Sequence, residues 1–158
     1  MRSTLRVLFF LVAAEVLVQG MAIAYAIAGM GHWVDQDGGV VNKALFDSNN
    51  PHFTGIKGFM IHGMNGMMVI PILVLLTLIV SFFAKTKGAS KRAGTLVGLV
   101  VLQVVLGIAS HSIPGLITLH VLNAFTIFSV AAMSGIWLGR VDLSMPAAAV
   151  TQASSVSV

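Results

Sequence analysis

Two histidines head matching phrases in this chain. Phe59-Met60-Ile61-His62-Gly63-Met64-Asn65-Gly66 and Ile117-Thr118-Leu119-His120-Val121-Leu122-Asn123-Ala124 each put an asparagine three residues after the histidine and a small residue four after it, ahead of a long apolar run. Imidazole is costly in hydrocarbon, so two of them at matching places in matching helices require a shared partner. A metal held between them is the sharpest candidate, with haem iron foremost. Either histidine alone reads more simply as an interfacial residue satisfied by water or backbone; the pairing is what favours ligation.

The remaining chemistry is sparse. Cysteine is absent, which excludes disulfides, iron–sulfur clusters, thiolate haem ligation and covalent c-type haem. His32 and His111 close two apolar segments and His52 lies in a polar stretch; all three read as solvated residues, ahead of haem-edge contacts to the propionates, ligation of a second metal or quinol chemistry. Met60, Met64, Met67 and Met68 hint at copper(I), but methionine on an apolar helix is more often packing filler. Asn65 and Asn123 suit hydrogen bonds between helices. Glu15 is the one acid inside an apolar segment; a proton relay is one role open to it, but a neutral, hydrogen-bonded acid with Gln19 and Gln103 as candidate neighbours is the expectation.

The elements that must position these groups follow from composition. The 158 residues are 57% hydrophobic and 9% charged, and mean hydropathy is +0.96. A soluble domain carries about a quarter charged residues, so the class is integral membrane protein. The net charge of +4 sits at the ends of apolar segments and forms no nucleic-acid patch.

Four spans are expected, over residues 5–31, 56–84, 93–111 and 116–139, each near or above the roughly 20 residues that cross a bilayer. The first is too long for a signal peptide, although Arg2, Arg6 and the small residues of 22–28 imitate one. Residues 32–55 form a polar extramembrane connection with a short helical turn near 41–46. Pro71 should kink the second span. Residues 140–158 read as a disordered tail. Arg2, Arg6, Lys85, Lys87, Lys91, Arg92 and Arg140 fall on one side and Lys43 and Lys57 on the other, which places both termini in the cytoplasm of a multi-pass plasma-membrane protein.

Val16-Leu17-Val18-Gln19 parallels Val100-Val101-Leu102-Gln103, and the histidine phrases open the second and fourth spans. The expected fold is therefore all-α: a membrane four-helix bundle of two pseudo-repeated hairpins about an axis along the membrane normal. That axis brings His62 and His120 face to face, about 6–9 Å below the outer boundary at about 1.5 Å per residue. Gly66, Gly107 and Ala124, with Gly29, Gly63 and Ala109, either leave room for a porphyrin or let helices approach. Phe59, Phe125, Met64 and Met67 would line it, and Lys57 would pair with a propionate.

Leu102-Gln103-Val104-Val105-Leu106-Gly107 followed by Pro114-Gly115-Leu116-Ile117-Thr118-Leu119-His120-Val121-Leu122-Asn123-Ala124 resembles one four-helix half of the haem A synthase family. The resemblance implies a bundle in which histidines of the second and fourth helices, here His62 and His120, hold a haem. It departs at Phe59, where the family's catalytic half has the glutamate of a Glu-x-x-His phrase. It therefore implies the haem-holding bundle more than the synthase reaction.

The combined expectation is a b-type cytochrome, with haem b ahead of haem O or haem A, working in electron transfer as a homodimer or as a subunit of a respiratory assembly. The alternatives are a half-sized haem-modifying or quinol-oxidising enzyme, and a non-redox assembly subunit. A copper transporter would need a polar path that the spans lack.

Overall fold

The computed structural model describes residues 1–47 and 52–143. Helix α1 spans Arg2–Asp37, 36 residues, or about 54 Å at helical rise, well beyond an apolar core of roughly 30 Å. It therefore carries Trp33 and the surrounding polar residues past the expected end of the span. Gly38 stops it at φ +69°, and the Gly39 N–H returns to the Trp33 carbonyl at 3.1 Å, a left-handed glycine cap. Short α2 (Lys43–Asp47) starts where the Asn42 side chain accepts the Leu45 N–H at 3.1 Å.

Helix α3 (Ile56–Phe83) contains one wide π turn over Asn65–Val69, where the Ile70 N–H reaches back to Asn65. Pro71 lies just beyond. Its ring crowds the carbonyl four residues earlier and it has no N–H to give. The widened turn relieves that crowding without ending the helix. Helix α4 is Ala89–Ala109. Helix α5, Leu116–Leu143, continues past the expected boundary at 139. The rest of the expected tail, residues 144–158, lies outside the described residues.

Around the bundle, α1 packs on α3 and α5, and α4 packs on the same two helices. Helices α3 and α5, which carry the two histidines, therefore face each other across a diagonal. The tightest core occupies the half nearest the termini: Leu5, Phe9 and Val12 of α1, Val74 of α3, Leu96 of α4 and Leu138 of α5 are essentially inaccessible. Thr77 and Ser134, also fully buried there, return their hydroxyls to the Leu73 and Val130 carbonyls at 2.7 and 2.6 Å. The outward face is apolar on every long helix, with Met21, Ile72, Phe82, Val105, Leu122 and Met133 exposed. Among the described residues, four helices are long and apolar enough to cross a membrane. The protein is a multi-pass helical bundle suited to a lipid bilayer.

Candidate functional site

The less densely packed half holds the candidate groups, and a stripe of small residues sets their register. A Cβ added at Gly29 would fall 2.1 Å from the Thr54 oxygen, and one at Gly58 would fall 2.4 Å from the Ala22 oxygen. Helices α1 and α3 thus touch backbone to backbone, as small residues permit in membranes. This contact pairs Gly29 with Gly55 and the Ala22–Ala26 turn with Gly58. One turn deeper Gln19 meets His62, and one turn beyond that Glu15 meets Asn65. The whole α1 stripe has helical spacing.

His62 and His120 come together inside the bundle. Their ring centroids are 6.2 Å apart and the rings are tilted by 56°. His62 donates through Nδ1 to the Gln19 carbonyl at 3.3 Å, and His120 through Nδ1 to the Gln103 carbonyl at 3.1 Å. A carbonyl only accepts, so Nδ1 carries a proton in both rings, and in the neutral imidazole Nε2 then keeps a lone pair for another partner. Metal-binding histidines are oriented in this way. Gly107 lies against His120, where an added Cβ would be 3.1 Å from Cε1.

The asparagines tie helices together. Asn123 donates to the Gln103 side-chain oxygen at 2.7 Å and to the Leu99 carbonyl at 2.9 Å. Asn65 donates to Glu15 at 2.7 Å. The Asn65–Glu15 pair was not anticipated; Gln19 and Gln103 were the expected neighbours of Glu15. Both Gln19 amide atoms and Asn65 Oδ1 are buried without a hydrogen-bond partner among the described residues.

Other candidates go elsewhere. Lys57 is exposed and lines an open groove of about 460 Å³ with Met60, Ile61, Met64, Asn65 and Val69. Apart from Asn65, that lining is the bilayer-facing side of α3, away from the bundle interior. Phe125 and Met67 also point outward. Gly66 faces the Gln19 amide, and Ala124 is half-buried beside Asn123. Phe59 meets Phe53 edge-on at 6.1 Å, and Phe53 stacks on Trp33 at 5.6 Å, so the ring three residues before His62 packs against the connection from α1 to α3. His32 and His52 are exposed. His111 is exposed too, and donates to carbonyls of its own helix end.

No group of three or more histidine, cysteine or acidic side chains that could hold a metal occurs among the described residues. Comparison with protein-family models, curated proteins and solved structures returned no match.

Proposed function

We propose that the bundle is a membrane b-type cytochrome in which His62 and His120 are the axial ligands of one haem and electron transfer is the activity. The observation that carries this reading is the ring separation of 6.2 Å between imidazoles whose Nδ1 atoms are both already committed. A metal–nitrogen bond of about 2 Å, with each ring nitrogen about 1.1 Å from its centroid, puts two imidazoles on one iron about 6 Å apart. Two protein ligands suffice only where the metal brings the rest of its coordination with it, as the iron of a porphyrin does. A bound haem would supply a one-electron couple. The chain would supply the two imidazoles, the Gln19 and Gln103 carbonyls that orient them, and a half-buried setting that tunes the potential.

Finer features agree with this reading. The Gln19–His62 contact recurs as Gln103–His120, which supports a parallel repeat of two hairpins. The positive-inside rule puts the termini in the cytoplasm and the site in the outer half of a plasma membrane. The resemblance read in the sequence to a half of haem A synthase extends, on this reading, to the haem-holding bundle and not to the synthase reaction. Phe59, packed on Phe53, offers no polar group for oxidising a haem substituent. Haem extracted from the purified protein tests the proposal: about one haem b per chain is expected, and protein free of haem after expression with ample haem contradicts it.

A further inference from the structure

The two histidines are held alike, yet their polar neighbours differ. Beside His120 the network closes on itself, because Asn123 satisfies the Gln103 side-chain oxygen and the Leu99 carbonyl. Beside His62 it stays open. Asn65, 8% exposed, gives an N–H to Glu15 while its Oδ1 finds no partner, and Gln19 keeps both amide atoms buried and unpaired. The Gln19 amide lies against Gly66, the residue after Asn65. The three unpaired polar atoms belong to the turns of α1 and α3 that meet where Asn65 reaches Glu15, so buried hydrogen-bonding capacity is left over in that register.

The groups also suit both protonation states of the acid. Amide N–H groups of Asn65 and Gln19 can serve a carboxylate. Asn65 Oδ1 and Gln19 Oε1 are acceptors of the kind a carboxylic acid needs. Glu15 is the only glutamate in the chain, and the other acids are Asp35, Asp37, Asp47 and Asp142, all at helix ends or in α2. The titratable groups of the neighbouring helices at this level are His62, one turn before Asn65 on α3, and His120 of α5, whose ring lies 6.2 Å from that of His62. Helix α4 bears Lys91 and Arg92 only at its far end, Arg140 of α5 and Arg2 and Arg6 of α1 are at that same end, and Lys57 faces outward.

We propose that Glu15, with Asn65 and Gln19, forms a proton-binding site that takes up one proton as the haem between His62 and His120 takes up one electron. The inference rests on the cytochrome reading. An electron from a one-electron donor adds negative charge near a carboxylate in a low-dielectric setting, and a proton from the water phase cancels it. Ferric haem, carboxylate, electron and proton become ferrous haem and carboxylic acid. The only bond formed is O–H on Glu15.

The test is a redox titration of the full chain in lipid nanodiscs at several pH values. The midpoint should fall as pH rises, by up to about 59 mV per unit for one proton per electron, and Glu15→Gln should flatten the dependence. Reduced-minus-oxidised infrared spectra of the wild-type protein should gain a protonated-carboxyl band that shifts with isotope-labelled glutamate; this decides the matter if Glu15→Gln loses haem. A wild-type midpoint independent of pH, an unchanged slope in Glu15→Gln, or a carboxyl band unmoved by the label overturns the inference alone. A wild-type protein without haem overturns the cytochrome reading instead.

Discussion

Gly58 of α3 sits so close to Ala22 of α1 that an added Cβ would fall 2.4 Å from the Ala22 carbonyl oxygen. This contact fixes which face of α3 looks into the bundle, and His62 lies one turn further along that face. Gly58→Leu should force the helices apart at a cost of about 1–3 kcal/mol and lower haem content with it. Gly63→Ala, where nothing lies within 4 Å of an added Cβ, should leave both unchanged. Denaturation in mixed micelles and the haem-to-protein ratio check the contrast.

Gly107 sets the corresponding clearance for His120. A valine there must displace the ring whose Cε1 would be 3.1 Å from its Cβ. Gly107→Val should lose haem while helicity by circular dichroism stays near wild type, and Gly107→Ala should lose less. Equal occupancy in the two variants would show that the ring has free space to retreat into.

Asn123 joins α4 and α5 through two hydrogen bonds. Removing them with Asn123→Leu strands the part-buried Gln103 oxygen and should cost about 1 kcal/mol, in the range of polar contacts between membrane helices. Unfolding in detergent measures this directly.

The orientation has its own test, made simple by a chain without cysteine. In intact cells an impermeant maleimide should label Lys43→Cys and not Lys87→Cys, with both labelled after permeabilisation. The reverse pattern would put the site in the cytoplasmic half.

Much of the architecture was legible in the sequence because a bilayer leaves few options: long apolar stretches must be helices, and their ends are marked by charge. The histidine pair could be read for a similar reason, since a repeated polar phrase in apolar surroundings stands out. Rotation and register between helices were not legible. Lys57 precedes His62 by five residues, about 140° around a helix, so it lies on the groove face and not beside the imidazole. Glu15 pairs with Asn65 because the Gly58 crossing sets α3 against α1 in one register, which spacing along either helix alone does not reveal. Even so, the face Glu15–Gln19–Ala22–Ala26–Gly29, set antiparallel to Gly55–Gly58–His62–Asn65, contained the signal. The π turn also had a visible cause in Pro71, although the sequence suggested a kink there.

The central claim is that His62 and His120 jointly grip one iron, and the reduced-minus-oxidised absorbance spectrum of the purified protein tests it most directly. Wild-type protein should show the sharp visible bands of a low-spin haem, and His62→Ala and His120→Ala should each abolish them while leaving a folded helical bundle. Bands that survive intact in both variants would contradict the claim.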